Sequence, residues 1–303
     1  MTQFIFLSKR HWITNLELLT TNLRTTPLFV FCHSSFFISI QTLSHRLAST
    51  DISLSWLKVR FTPYMNLVLD LGNTRIKAAL FEAYLLKEKF TFLSVTDLVS
   101  FLKQKEFDHA IVSSVNQSAD ELVDTIKASG IKIKLQPGVP LPIQNKYTTP
   151  ETLGVDRLAA ACGAFSYFPN RNCLVIDAGT CINYEFIDED GAYQGGAISP
   201  GITMRFQAMH KFTARLPLVE VNNNAAMIGT STETGMQSGV LHGVLSEVEG
   251  IIGKYVANYP GLIVILCGGD AHLFENKLKH PIFVAPDLIL KGLNSILLYN
   301  VSI

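Results

Sequence analysis

The chain lacks the common sequence motifs for binding nucleotides and metal ions. Neither GxxxxGK[ST] nor GxGxxG occurs in its 303 residues, which excludes the P-loop and the Rossmann solutions to phosphate binding. The five cysteines have no CxxC spacing, and His210, His242 and His272 follow no zinc pattern. A zinc centre is therefore not expected. We expect a cytoplasmic protein in which the thiols are reduced.

Net charge and long apolar runs are also missing. Because 25 Lys and Arg balance 25 Asp and Glu, no basic field favours nucleic acid as a partner. The apolar run at 28–40, broken by His33, Ser34 and Ser35, is shorter than the ~20 residues of a membrane span. With 48% hydrophobic residues, a globular protein of one large domain or two ordinary ones is expected, without a membrane partner.

The first 64 residues differ in composition from the rest and contain no glycine. A regular strand pattern begins only at Met65, shortly before the Gly-containing turn that follows Asp70. Our hypothesis is that Met65 is the true start, and that 1–64 is a non-native or disordered extension. Mass measurement on protein expressed from its native promoter tests this, and an intact peptide from before Met65 would contradict it.

From Met65 onward, apolar strand patterns alternate with helical ones, which predicts an α/β fold. A hairpin opens the pattern, with its turn after Asp70. Two further strands and two helices follow. The second half also opens on a hairpin, with its turn after Asp177, and continues through a Gly-rich hairpin at 191–201 into helices and an apolar strand. The predicted helices lie near 96–105, 119–129, 156–168, 203–212, 232–255 and 288–300, and the single strands at 109–113, 131–135 and 262–266.

Two similar turns follow two apolar strands. Asp70-Leu-Gly-Asn-Thr ends the first strand, and Asp177-Ala-Gly-Thr ends a strand in the second half. This internal repeat predicts a duplicated domain, with one copy at 65–170 and the other at 171–303. Duplicated α/β domains bind their ligand in the cleft between them.

The first turn has the chemistry of a phosphate site. Its backbone N–H groups and the side chains of Asn73, Thr74 and Lys77 are possible donors to phosphate, and Asp70 can hold a hydrated Mg²⁺. Taken singly, the same residue types also serve turn conformation alone. Two such turns at duplicated positions favour the phosphate interpretation, because they can hold one nucleotide from both sides.

Six motifs follow one another between Met65 and the C-terminus: Asp70 to Lys77, Gly154-Val-Asp-Arg157, Asp177 to Thr180, Gly195 to Gly201, Ala214-Arg-Leu-Pro217 and Gly229-Thr-Ser-Thr232. The paired turns resemble those of the acetate kinase, sugar kinase and actin superfamily. In order and spacing, the six motifs together resemble those of type III pantothenate kinases. The resemblance implies duplicated ribonuclease H-like domains, as in actin-like ATPases, around a central nucleotide cleft.

The resemblance also implies the reaction, namely phosphorylation of pantothenate by ATP as the first step of coenzyme A biosynthesis. Asp156 would be the general base for the attacking hydroxyl, and Mg²⁺ would accompany ATP, held on Asp70 through water. Asp177 would bind a monovalent cation, K⁺ or NH₄⁺. The ATP-binding residues would be Asp70, Leu71, Gly72, Asn73, Thr74, Arg75, Ile76, Lys77 and Thr180.

For the second substrate, the resemblance implies a site near the interface of a homodimer. Arg157 would donate two parallel hydrogen bonds to the pantothenate carboxylate. The residues taken alone leave structural roles open: a helix N-terminal carboxylate for Asp156, a surface ion pair for Arg157, a loop anchor for Tyr147 and an N-cap for Thr232. The implied pantothenate-binding residues are Tyr147, Gly154, Val155, Asp156, Arg157 and Thr232.

Two positions depart from the family pattern, which commonly has Thr and Asp where this chain has Asn183 and Glu185. Gly268-Gly269-Asp270 follows an apolar strand and is either an adenosine contact or a strand-ending turn, so it stays outside the primary site. Two rival functions are a kinase of the same superfamily for a sugar or small acid, and a nucleotide-binding regulator without turnover. Retention of both Asp70 and Asp156 argues against the regulator.

Overall fold

The computed structural model describes residues 65–72, 75–114 and 119–303, together with the backbone of three short strands nearer the N-terminus. Two units divide the chain, Met1–Met65 and Asn66–Ile303. In the first unit, β1 (Phe4–Leu7), β2 (Phe29–Cys32) and β3 (Phe36–Ile38) form a three-stranded sheet in that order. The prediction of a non-native or disordered segment at 1–64 otherwise lies outside the described residues.

The second unit contains two sheets and six α-helices within the described residues. The helices are α1 (Val95–Lys103), α2 (Ala119–Thr125), α3 (Val155–Tyr167), α4 (Ile202–Phe212), α5 (Thr232–Asn258) and α6 (Leu288–Ser302). The strands are β4 (Met65–Leu71), β5 (Ile76–Glu82), β6 (Leu85–Phe92), β7 (His109–Ser114), β8 (Lys132–Lys134), β9 (Gln144–Asn145), β10 (Cys173–Ala178), β11 (Cys181–Ile187), β12 (Ala192–Pro200), β13 (Ile263–Cys267) and β14 (Phe283–Val284).

The two sheets repeat one topology. The first has the order β6-β5-β4-β7-β8, and the second runs β12-β11-β10-β13-β14, with β9 added beyond β12. In each, the central strand has a parallel partner on one side, β7 beside β4 and β13 beside β10. On the other side lies the next strand of a hairpin. The predicted duplication is therefore present at the level of strand order.

Both central strands are covered on both faces. Leu67, Val68 and Leu69 of β4 are fully buried, as are Leu174 and Val175 of β10. A strand that is buried on both faces reads as a continuous apolar run. This burial explains the unbroken apolar run before each phosphate-type turn, Leu67 to Leu69 before Asp70 and Cys173 to Ile176 before Asp177.

Helices α3 and α6 pack against each other between the two sheets. Helix α3 contacts β10 and β11 of the second sheet and also β7 of the first, whereas α6 contacts β5 and β7. The two helices approach closely because glycine lies at the contact: a Cβ on Gly292 would lie 1.8 Å from the Ala159 carbonyl oxygen, and one on Gly163 would lie 2.5 Å from that of Leu288. The larger core cluster joins these helices to both sheets.

The outer face of the second sheet is covered by the long helix α5, which α4 contacts. Val244, Val248 and Ile252 of α5 are fully buried against this face. None of the described helices is both long enough and apolar enough to cross a membrane.

Most predicted elements are present within a few residues, but two differ, and the strands β6, β9 and β14 were not predicted. The predicted helix at 119–129 ends at Thr125, because the segment after it pairs with Phe107 through Phe107 N–H to Lys127 O and Ser129 N–H to Phe107 O. The Gly-rich hairpin at 191–201 is one strand, β12, paired with β11. Strand β6 was not predicted, because its exposed lysines and glutamate mask the pattern of an edge strand.

Candidate active site

Asp70 and Asp177 occupy equivalent places, near the ends of the central strands β4 and β10. In the parallel pairings, Asp70 lies beside Ser113 and Asp177 beside Cys267. Burial is the main cause that raises the pKa of each carboxyl to about 6. The duplicated fold thus brings together two carboxyl groups whose ionised forms are destabilised by burial.

A third carboxylate and one lysine complete this group. The charge of Asp156 further raises the pKa of Asp70 and of Asp177, whereas the Lys77 ammonium lowers both. Three acidic side chains therefore share one basic neighbour, and an added cation would be stabilised here. Among the described residues, no three His, Cys, Asp or Glu side chains form a metal ligand set, so a cation here would also need ligands from water or phosphate.

The turn after β4 contains most of the predicted ATP-binding residues. Gly72 N–H donates to the Arg75 carbonyl oxygen at 3.2 Å and closes the turn. Leu71 and Ile76 are buried in the core, so they anchor the turn and can offer a nucleotide only backbone groups. Arg75 is exposed beside them. Asn73 and Thr74 lie outside the described residues.

The turn after β10 is held from two sides. Gly179 N–H donates to the Cys181 carbonyl oxygen at 2.9 Å, and Gly201 N–H donates to the Thr180 carbonyl oxygen at 3.1 Å. A Cβ on Gly201 would lie 2.2 Å from Gly179 O and 2.4 Å from Thr180 O. The last glycine of the Gly195–Gly201 motif is therefore needed for this contact, which leaves Thr180 exposed for a ligand.

The Gly268-Gly269-Asp270 segment, which was left outside the primary site, covers the Asp177 turn. The Cys267 thiol donates a hydrogen bond to the Asp177 carboxylate, and Asp270 N–H donates to Ala178 O at 2.9 Å. Gly268 has φ of 94°, and a Cβ there would lie 2.1 Å from Ala178 O. Sequence reasoning missed Cys267, although it noted Gly268 in a segment that it left outside the primary site. The available signal was the apolar strand before Gly268.

Asp156 lies in the first turn of α3, and Gly154 is the N-cap. Asp156 Oδ1 accepts a hydrogen bond from the Arg157 backbone N–H at 3.0 Å, as expected for a carboxylate at a helix N-terminus. A Cβ on Gly154 would lie only 2.5 Å from Asp156 Oδ1. Glycine at this position leaves room for the carboxylate, which gives the Gly-Val-Asp-Arg motif a steric reason. Val155 packs partly buried against the core.

Arg157 is buried and pairs with Glu185, not with solvent. Its Nε and Nη2 donate to the two Glu185 carboxylate oxygens at 2.6 and 2.9 Å, and the Tyr193 hydroxyl donates to Oε2. Burial alone would lower the pKa of Arg157, but the hydrogen bonds and charge of Glu185 raise it above its usual value. The alternative of a surface ion pair is wrong, because the pair is internal.

Tyr147 lies beside this pair. The Arg157 guanidinium carbon is 5.4 Å from the centroid of the Tyr147 ring, and Nη1 is 3.5 Å from the Tyr147 hydroxyl. The ring also stacks on Tyr193, with centroids 6.1 Å apart. A cation over an aromatic face is attracted by the ring quadrupole, so Tyr147 and Arg157 form one unit.

Thr232 lies elsewhere in the same chain. It is the first residue of α5, whose N-cap is Ser231 in a capping box with Thr234, so the alternative that Thr232 is the N-cap is wrong. Among the described site residues, Thr232 alone lines a groove of about 540 Å³ between α4 and α5. The other lining residues are Arg205, Met209, Leu216, Gly235, Met236, Gly239 and Val240.

Comparison with known proteins places this site in a family. The family described as type III pantothenate kinase matches residues 66–254. The chain belongs to the type III pantothenate kinase family. A type III pantothenate kinase of Christiangramia forsetii is 43% identical over 240 residues, covering 78% of this chain and 99% of the relative. One of Bacteroides fragilis is 43% identical over 239 residues, covering 78% and 98%.

A solved structure shares the fold of this pantothenate kinase. A Campylobacter jejuni protein, described as a Baf family transcriptional activator, matches with a TM-score of 0.54 and 20% identity, covering 78% of this chain and all of that one. This likeness concerns the fold alone. The predicted duplication of an α/β domain agrees with the repeated strand order.

Family membership decides among the predicted functions. The enzyme transfers phosphate from ATP to pantothenate, the first step of coenzyme A biosynthesis. The rival predictions, a sugar or small-acid kinase and a regulator without turnover, are not the function that the family indicates. The prediction of a phosphotransferase is confirmed.

Proposed function

We propose that the carboxylate group around Lys77 is the phosphoryl-transfer centre, in which Asp156 is the general base. The observation that carries this proposal is the mutual electrostatic influence of Asp70, Asp156, Asp177 and Lys77. Phosphoryl transfer depends mainly on positioning and charge stabilisation. Asp156 Oδ1 is held by the Arg157 N–H, so Oδ2 would accept the proton of the primary hydroxyl of pantothenate.

The two Gly-containing turns would bind the ATP phosphates from opposite sides. Gly72 and Gly179 use their N–H groups to close the turns, so the donors would be Lys77, Arg75, Thr180 and the N–H groups of neighbouring residues, with Asn73 and Thr74 among them. Asp70 would hold Mg²⁺ through water, because one carboxylate plus phosphate oxygens suits this ion. The ion would offset charge on the phosphates as the γ-phosphoryl group moves.

Asp177 would bind the monovalent cation, K⁺ or NH₄⁺. Asn183 lies directly opposite Asp177 in the antiparallel β10–β11 pair, and opposite residues project to the same face. The departure from the family pattern at Asn183 therefore keeps an oxygen ligand near the cation.

Pantothenate would bind beside Tyr147 and Arg157, and Thr232 would come from a second copy in a homodimer. Thr232 lies on α5 and lines a groove whose other lining residues include none of the three carboxylates, which supports this arrangement. Gly235, Gly239 and Gly243 of α5 are exposed at a four-residue spacing, and a Cβ on any of them would meet open space. Exposed apolar side chains lie nearby in sequence, including Met227 and Ile228 at 75% and 80%.

Further parts of the proposal concern location and organisation. We place the enzyme in the cytoplasm, which suits the four unpaired thiols in the described part of the chain, Cys162, Cys173, Cys181 and Cys267. We place the boundary between the two copies of the fold near residue 170, between α3 and β10.

A coupled ADP-release assay tests the proposed site. With pantothenate and Mg·ATP, turnover should need K⁺ or NH₄⁺ and fail with Na⁺ alone. Asp156→Asn should lower kcat by a factor of about 10² to 10⁴, the range for losing a general base, while KM for ATP stays close to wild type. Glu151→Gln, an exposed carboxylate nearby in the chain, is the matched control and should keep full activity. An Asp156→Asn enzyme with near wild-type kcat would remove Asp156 from this role.

A further inference from the structure

Glu185 and Tyr193 form a buried anchor for Arg157, which none of the predicted roles uses. Glu185 is fully buried, and Arg157 is 7% exposed. The Glu185 carboxylate accepts three hydrogen bonds, two from Arg157 N–H groups and one from the Tyr193 hydroxyl. Burial raises the pKa of the Glu185 carboxyl, whereas the hydrogen bonds from Arg157 and Tyr193 and the charge of Arg157 lower it. Because Arg157 is permanently charged and in bidentate contact, the carboxylate compensates the buried Arg157 charge.

The anchor fixes which edge of the guanidinium remains available. The bidentate contact occupies Nε and Nη2, and planar Arg–carboxylate pairs of this kind hold the guanidinium in one orientation. Nη1 then points toward the Tyr147 hydroxyl at 3.5 Å. Glu185 therefore occupies the side-on Nε–Nη2 fork, and a substrate carboxylate can approach only the remaining Nη1 edge of the guanidinium.

Tyr147 is itself held in place by the same group of residues. Its ring stacks on Tyr193 and packs over Gly195, where a Cβ would come within 3.2 and 3.3 Å of the ring carbons. Gly195 has φ of 102°, a conformation that favours glycine. The first glycine of the Gly195–Gly201 motif thus makes room for Tyr147, and the ring supports the cation beside it.

We infer that Glu185 and Tyr193 are positioning residues that hold Arg157 so that its Nη1 edge, together with the Tyr147 hydroxyl, receives the pantothenate carboxylate. This inference rests on the proposed assignment of Arg157 and Tyr147 to pantothenate. Because Glu185 neutralises Arg157, the substrate meets a nearly neutral pair. Recognition then depends on the direction of the Nη1 hydrogen bonds more than on net charge.

Steady-state kinetics with separate KM values for pantothenate and ATP test this inference. Glu185→Gln leaves the Arg157 charge but exchanges one carboxylate oxygen for an amide donor, so Arg157 should lose its orientation. KM for pantothenate should rise at least tenfold, with KM for ATP within twofold of wild type. Tyr193→Phe removes one hydroxyl and should raise KM for pantothenate by a smaller factor, roughly two- to fivefold. Glu185→Asp, which keeps the charge, should recover most of the loss.

The outcomes separate this inference from the site assignment on which it rests. Arg157→Lys keeps the charge but loses the planar fork. If it leaves KM for pantothenate unchanged, the assignment of Arg157 to pantothenate fails. If Arg157→Lys raises this KM and neither Glu185→Gln nor Tyr193→Phe does, the positioning inference alone fails. A parallel rise in both KM values with a lower Tm would mean that Glu185 is only structural. Should Glu185→Gln not fold, Tyr193→Phe decides by the same criteria.

Discussion

Replacing Asp177 with asparagine should stabilise the ligand-free enzyme at neutral pH and change it little in acid. Burial is the largest cause that raises the pKa of this carboxyl from 3.8 to about 6. Between about pH 4 and pH 6, the native state therefore binds this proton more tightly than the unfolded chain does. Stability is lost as the pH rises through that window, and the loss is complete above about pH 6.

The size of the effect follows from the shift in pKa. A rise from 3.8 to about 6 corresponds to about 3 kcal/mol, since one pKa unit is about 1.4 kcal/mol. The repulsion from Asp156 and Asp70 is part of this shift, and the asparagine side-chain oxygen can still accept the Cys267 thiol. Allowing for a weaker hydrogen bond, we expect a gain of about 2 kcal/mol at neutral pH, or roughly 4–8 °C in Tm for a domain of this size.

Calorimetry of the ligand-free proteins at about pH 3.5 and about pH 7.5 measures this gain on either side of the titration window. Tm of Asp177→Asn should exceed that of wild type only at the higher pH. Asp190→Asn, an exposed carboxylate in the turn before β12, is the control and should shift Tm equally little at both. An equal rise at both pH values, or a lower Tm at neutral pH, would refute the argument that buried charge at Asp177 costs stability.

Two further predictions concern glycines. Gly201→Ala should lower kcat at least tenfold and Tm by several degrees, because its Cβ would overlap Gly179 O and Thr180 O at a cost of about 1–3 kcal/mol; Gly253→Ala, where the nearest atom is 3.8 Å away, should change neither. Gly239→Leu should convert the proposed dimer to a monomer in light scattering. The leucine side chain would meet open space within one chain, but it would collide with the helix of a second copy packed on this face of α5. Val256→Leu, roughly 100° around α5, should stay dimeric, and a dimeric Gly239→Leu would exclude this face.

The sequence was sufficient to predict the duplication because its signal is local. Each phosphate-type turn follows a strand buried on both faces, and a strand of this kind leaves an unbroken apolar run in the sequence. The strand order β6-β5-β4-β7-β8 and its repeat then place Asp70 and Asp177 at equivalent positions. Prediction worked where a feature depended on neighbours in the chain.

Contacts between distant elements could not be predicted in this way. The pairing of Arg157 with Glu185 depends on how α3 lies on β11, and the Cys267 thiol reaches Asp177 only through the parallel pairing of β13 with β10. From the sequence, Glu185 was only a conservative departure from the family pattern. In the structure it is buried and pairs with Arg157, the predicted pantothenate-binding residue. The early end of α2 at Thr125 has the same cause, since pairing with Phe107 overrides helix propensity there.

Four glycines of the site explain how residues far apart in the chain can lie close together. Each leaves space for a functional group that, except in the pair Gly154 and Asp156, belongs to a different segment of the chain, and a side chain in its place would collide with that group or its backbone. Substitution of one motif residue should therefore act through another motif, and a loss of activity at a glycine does not imply contact with substrate. The pairs are Gly154 with Asp156, Gly195 with Tyr147, Gly201 with the Thr180 turn, and Gly268 with Asp177.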